Sequence, residues 1–276
     1  MRAIAMQQAE IIDTYCFFDT FCVWGHEVKI FSHSLIGLLA LLGLTLSGVF
    51  APATLANERL NPQSKEGAPV GEFFMGGAFT TSSWISWAGA VKSLSSSLYD
   101  EGWRMRVLGA YGRYSFSTDG QPNSANPALF EITPGYQFKT GPVISKIYGG
   151  LHGEQHKLAN PDPDNKTAGM GYGAKVILEN WIDLPMNSFA SLDGSFSTLN
   201  TSYQGTLRAG SAYYFPQLTL GPEVQIVGNE EYYQLRAGLF GRWKLETGSI
   251  KASIGYAEDY DQQSTPYISF SWLRRF

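Results

Sequence analysis

From Gly71 to Phe276 the chain alternates apolar and polar residues with a period of two, in one segment after another. In 103–115, Trp103, Met105, Val107 and Tyr111 share one face while Arg104 and Arg106 share the other. In 130–138, Phe130, Ile132, Pro134, Tyr136 and Phe138 oppose Glu131, Thr133, Gly135 and Gln137. Leu218, Leu220, Pro222, Val224 and Ile226 oppose Thr219, Glu223 and Gln225. Tyr233, Leu235, Ala237, Leu239 and Trp243 oppose Gln234, Arg236, Arg242 and Lys244. In the last segment Ile268, Phe270, Trp272 and Phe276 share a face, with Ser269 and Ser271 between them. Successive side chains of a strand point to opposite sides, so the pattern predicts amphipathic β-strands. No amphipathic helix of useful length competes with it.

A soluble sandwich also alternates, so the contents of the two faces decide the environment. Full charges fall in mid-strand on the polar face, at Arg104, Arg106, Glu131, Lys175, Glu179, Arg208, Glu223, Arg236 and Arg242. Aromatics cluster near strand ends, at Trp84, Trp87, Trp103, Tyr136, Trp181, Tyr213, Phe215, Trp243 and Trp272, as in the interfacial girdles of a membrane barrel. Only 16% of residues are charged while 14% are aromatic, and 30 are glycine, which suits many strands crossing an interface. An amphipathic strand closing on an aromatic resembles the assembly signal of Gram-negative outer-membrane β-barrels. The prediction is an all-β fold: a transmembrane antiparallel up-and-down barrel of about twelve strands, preceded by a signal peptide. Arg274 departs from the apolar outward face of the last strand, and a rim position lets it snorkel toward headgroups.

Counting turn to turn places strands near 71–80, 84–95, 102–117, 129–139, 142–155, 169–180, 187–198, 202–215, 217–228, 231–245, 248–258 and 265–276. Each meets the ~9–11 residues a tilted membrane strand needs. An even count sets both barrel ends in the periplasm. The two longest breaks, 118–127 and 156–169, then fall outside the cell, and short turns such as 139–141 and 246–248 fall inside.

The front of the chain reads differently. Residues 34–50 form an apolar run, preceded by Lys29 and His33 and followed by the small residues of 51–56. This is the layout of a secretory signal peptide, with cleavage after Ala56 or Ala53, and the run is shorter than the ~20 residues of a spanning helix. The expected organisation is an extension over 1–27, a signal peptide over 28–56, a periplasmic linker over 57–70 and the barrel over 71–276. The extension fits no targeting pattern, and Val28 is the expected true start, a reading that N-terminal sequencing of the precursor tests. The only cysteines, Cys16 and Cys22, lie in that extension, so the exported chain has none, in keeping with an oxidising compartment.

Net charge is −4, and no basic field invites nucleic acid. No P-loop, dinucleotide fingerprint or G-x-S-x-G occurs after the signal region, and no cofactor is expected. His152, Glu154 and His156 lie two apart on one strand and point the same way, with Asp162 and Asp164 following. They form a possible rim site that can be drawn as a hydrolytic His with a carboxylate, as a metal site, or as a polar rim whose charges pair; the expected metal is none and the expected catalytic residues are none. Asp162-Pro163-Asp164-Asn165 lacks the spacing and distal Glu of a calcium loop. The mid-strand charges form the main candidate, a lumen polar network. They are read either as a salt-bridged plug or as a narrow polar path for a sugar or small anion, with Tyr214 and Phe240 as inward aromatics.

Several segments together resemble the BcsS family of alphaproteobacterial cellulose-biosynthesis proteins. They are Asp100-Glu101-Gly102-Trp103-Arg104 running to Tyr114, and Leu151-His152-Gly153 through Asp162-Pro163-Asp164-Asn165 to Gly173 and Trp181. Gly221-Pro222-Glu223 through Gly228, and Gln234-Leu235-Arg236-Ala237-Gly238, complete the set. The resemblance spans 71–276 and implies an outer-membrane role beside a cellulose synthase, without supplying catalytic residues. The expected function is a non-enzymatic barrel accessory to cellulose biosynthesis or secretion. A small porin-like channel for oligosaccharides or anions is the alternative, and an outer-membrane hydrolase the third reading. Expected partners are outer-membrane lipid, the barrel assembly machinery, and cellulose or components of its synthase.

Overall fold

In lipid, backbone N–H and C=O groups find no water, so strands persist there only in a sheet that leaves no edge. The computed structural model describes residues 67–118, 121–230, 232–259 and 264–276. These form β1 (Gly71–Phe79), β2 (Ser83–Ser93), β3 (Gly102–Thr118), β4 (Gln121–Thr140), β5 (Val143–Leu158) and β6 (Gly169–Leu184). β7 (Ser188–Ser197), β8 (Tyr203–Ser211), β9 (Leu218–Gly228), β10 (Tyr233–Leu245), β11 (Gly248–Asp259) and β12 (Ser264–Arg275) follow. Each strand pairs antiparallel with its chain neighbours and β12 returns to β1, closing an up-and-down barrel. The expected extension, the signal peptide and the linker as far as residue 66 lie outside the described residues.

At the closing seam, Glu72 lies opposite Arg275 and Phe79 opposite Ile268. Phe276 continues the ladder: its N–H donates to the Gly71 carbonyl at 2.9 Å, and its carbonyl accepts from Val70 and Gly71 at 2.8 and 3.0 Å. A Cβ at Gly71 would stand 2.6 Å from the Phe276 ring, so the glycine makes room for the aromatic.

One expected loop is a strand pair instead. Residue 118 and residues 121–127 are strand and not loop, because β3 and β4, of 17 and 20 residues, run on until Thr118 faces Gln121. Pro122 and Pro127 disguised this, since proline lacks the N–H a central strand needs. Pro127 pairs with His156 of β5, and the β3–β4 register is interrupted opposite it. Pro134 does the reverse, pairing with Met105 of β3 where the β4–β5 register is interrupted. Each proline thus serves one neighbour. The surplus of β3–β6 over a membrane crossing projects roughly 20 Å on the end opposite 67–70 and Phe276, at about 3.3 Å per residue. That end is extracellular by the even-strand rule.

The outward face holds Val107, Ile132, Leu151, Val176, Leu207, Leu239 and Ile254, all open to the surroundings and therefore lipid-facing. Aromatic pairs mark both margins. Phe73–Trp272 and Trp103–Tyr136 lie toward the periplasm, with ring centroids 6.0 and 5.5 Å apart. Trp84–Tyr111 and Phe79–Phe270 lie toward the outside. Arg274 is exposed at the periplasmic rim opposite Phe73. Two tryptophans read as girdle residues turn inward. Trp87 is three residues from outward Trp84, an odd step that reverses the face, and it lies against Gly76. Trp181 shares the parity of Lys175 and Glu179. Phe240 faces in as expected, but Tyr214 does not: β8 stops at Ser211, which leaves Tyr214 in the periplasmic turn, 84% exposed.

Candidate functional site

Strand parity carries all nine mid-strand charges of the polar face into the lumen, and the ladder registers decide which of them meet. Glu131 on β4 is clamped from both sides. Arg106 Nη1 on β3 donates to its Oε2 at 2.6 Å, and Lys175 Nζ on β6 reaches Oε1. Lys175 crosses β5 at Gly150, its ladder partner, which offers no side chain to block it. A second clamp repeats the arrangement across the barrel. Arg208 Nε on β8 and Lys251 Nζ on β11 hold Glu223 on β9, the latter at 3.0 Å, and β10 presents Gly238 opposite Glu223. Arg208 also donates to Asp193 at 2.8 Å. Both glutamates are 4% exposed, where an unpaired carboxylate would be costly; the Glu131 clamp keeps one net positive charge, while Asp193 balances the second.

The remaining lumen charges are satisfied in other ways. Lys146 pairs with Glu179 at 3.1 Å. Arg236 donates to the amide oxygens of Gln234 and Gln225 at 2.6 and 3.1 Å and lies over the Tyr267 ring. Arg242 lies beside the stacked rings of Trp181 and Phe189, its guanidinium carbon 4.7 and 4.6 Å from their centroids.

Arg104 is fully buried and serves the periplasmic connection 94–101. It donates to Ser93 Oγ at 2.7 Å and to the carbonyls of Ser97 and Asp100 at 3.1 and 2.5 Å. Gln137 donates to the carbonyls of Leu98 and Asp100, and Lys139 Nζ to that of Tyr99. These donors all point inward, so the connection folds beneath the β1–β4 side of the lumen. Hydrogen bonds from Ser96 and Ser97, both 2.8 Å, hold the Asp100 carboxyl below its ordinary range, Ser96 first and Ser97 second.

The three rim residues share a face but divide their contacts. His156 Nε2 pairs with Glu154 Oε1 at 2.6 Å, and its Nδ1 lies 3.0 Å from the Tyr114 hydroxyl. His152 instead lies 2.8 Å, through Nδ1, from Ser197 Oγ on β7. Ser197 has no exposed surface and also accepts from the Leu199 N–H at 3.1 Å. Asp162 turns on itself, accepting from the Asp164 N–H. Among the described residues no three His, Cys, Asp or Glu side chains gather as a metal set.

Sequence reading missed Lys146, Asp193, Lys251 and Ser197. Lys146 was legible, since it shares parity with His152 and Glu154 on β5. Ser197 was not, because its meeting with His152 requires the fold to bring β7 behind β6.

Beside the second clamp lies a cavity of about 210 Å³. Its wall includes Lys146, Asp193, Arg208, Arg242 and Lys251, with Trp181 and Phe240.

A closed antiparallel barrel, apolar and aromatic-belted outside and charged inside, is an outer-membrane β-barrel of the Gram-negative kind. The chain belongs to the cellulose biosynthesis protein BcsS family, whose model matches residues 73–276. A comparison with curated proteins finds no match. Among solved structures it is similar to the KdgM porin in complex with disordered oligogalacturonate, at 9% identity and a TM-score of 0.46, over 74% of this chain and 99% of that one. It is also similar to the translocator domain of autotransporter NalP from Neisseria meningitidis, at 12% identity and a TM-score of 0.44, over 90% of this chain and 99% of that one. The β domain of the Bordetella autotransporter Brka is similar at 14% identity and a TM-score of 0.43, over 75% and 98%.

Proposed function

We propose that this barrel is a non-enzymatic outer-membrane accessory of cellulose biosynthesis that acts as a scaffold and not as the conduit for the glucan. One observation carries the reading: charge clamps span the lumen wall on two sides while the connection 94–101 folds beneath it. Twelve strands lie between the filled eight-stranded barrels and the open porins, so side-chain filling decides the bore. Cross-pairing of long side chains favours a narrow one. Family membership supports the pathway, and cellulose or components of the synthase are the proposed partners. Deleting the gene tests this. Fibrils of altered architecture at the cell surface, with glucan polymerisation retained, are expected; unchanged export and unchanged fibrils overturn it.

A small solute channel is the second reading, favoured by the cavity of about 210 Å³ in the lumen wall. Planar-bilayer recording decides it, since purified barrel without conductance excludes a channel. The hydrolase reading has little support: Ser197, the serine that meets a histidine, exposes no surface for attack on a substrate.

A further inference from the structure

Lumen arginines can be sorted by what receives their N–H groups. Arg106 and Arg208 donate to carboxylates, Arg104 to backbone carbonyls and Arg236 to glutamine amides. Arg242 donates to none of these. Its guanidinium carbon lies 4.7 Å from the Trp181 ring centre and 4.6 Å from that of Phe189, contacts that offer its N–H groups no acceptor and leave its hydrogen-bonding edges free.

The placement is enforced. Trp181 and Phe189 stack at 3.9 Å and 8°, and Phe189 also packs on Phe240. The Trp181 indole N–H donates to Asp183 Oδ1 at 2.8 Å, which fixes the ring and engages one oxygen of that carboxylate. Phe189 and Phe240 are buried, so the platform is rigid. Arg242 therefore faces the cavity of about 210 Å³ with its donors unspent. Lys146, Arg208 and Lys251 share that wall, and the acids there are committed: Glu179 to Lys146 and Asp193 to Arg208. A space of this size is below the roughly 300 Å³ at which drug-sized pockets begin, so its occupant is small.

We propose that this cavity is an anion-binding site for a small oxyanion, a carboxylate or phosphate group, received by the free guanidinium edge of Arg242. Arginine's planar fork matches such a group in a bidentate way. The neighbouring Lys146, Arg208 and Lys251 are each paired with an acid, so the free edge of Arg242 carries the recognition. The inference concerns binding and does not depend on whether solute passes through the barrel.

The test uses the folded barrel in detergent, in low-chloride buffer, with inorganic phosphate as probe and glucose as neutral control, followed by titration calorimetry. Saturable phosphate binding is expected, with no heat from glucose. Arg242→Gln is expected to weaken binding at least ten-fold and Arg242→Lys to weaken it less, while Arg236→Gln leaves it unchanged. Heat-modifiable gel mobility establishes that each variant is folded. Absence of phosphate binding in the wild-type barrel overturns the proposal, as does equal affinity in Arg242→Gln. Bilayer recording of the same sample separates this result from the channel reading, because a non-conducting barrel that binds phosphate retains the site.

Discussion

Glu131 shows how much one lumen residue can decide. It bridges Arg106 and Lys175 at 4% exposure. Glu131→Gln keeps the shape but leaves two half-buried cations without the carboxylate that bridges them. Removing one member of a buried ion pair costs about 3 kcal/mol or more. The expected outcome is a lower urea midpoint for barrel unfolding, read by the loss of heat-modifiable mobility. Adding Lys175→Met is expected to recover part of the loss, because one of the two orphaned charges goes with it. All nine charges of the lumen network were legible as inward from parity alone, but the pairs were not. Nothing in the spacing of Arg106, Glu131 and Lys175 announces that they meet. Lys175 reaches Glu131 across an intervening strand only because Gly150 leaves the path clear.

At the scale of the element, the connection 94–101 is the clearest case of a turn with a task. Within it Ser95 receives the Trp103 N–H at 3.2 Å. Its inward anchoring came from elsewhere, from Arg104 and Gln137 on the strands that follow. Arg104→Ala is expected to release it, seen as new protease cleavage within 94–101 while the barrel itself stays folded. The Asp100 carboxyl adds a pH signature. Its folded value is depressed by the hydrogen bonds from Ser96 and Ser97, so its contribution is complete above the ordinary carboxyl value of 3.8 and is lost as pH falls through the lower folded value. Wild-type cleavage in this segment is therefore expected to stay low at pH 4 and above and to rise only in stronger acid. The extended β3–β4 hairpin teaches the converse. Prolines at 122 and 127 argue for a loop, yet a strand with one interrupted neighbour tolerates them.

For the whole molecule, closure is the decisive event. Only the β1–β12 seam removes the last open edge, and it joins residues about as far apart in sequence as the barrel allows. Phe276 extends the seam by three backbone hydrogen bonds and lays its ring against Gly71. Phe276→Ala keeps the backbone bonds and deletes the ring. Less folded barrel in outer-membrane fractions is expected, with the purified variant still heat-modifiable once folded. A wild-type yield in those fractions would show that the ring has no part in assembly.

The alternation by itself determined the strands, their number and the side each residue faces, because the period of two is a local property of the chain, and the charges and aromatics on those faces pointed to the membrane as solvent. Parity applied strictly would also have turned Trp87 and Trp181 inward. What only the tertiary structure decided is who meets whom. Register across strands, the path over Gly150 and Gly238, the turn beneath the lumen and the unspent donors of Arg242 all depend on distances between segments that are remote in sequence. Alternation sets a side chain's face but not its height on the barrel wall, and height is what brings two charges within reach.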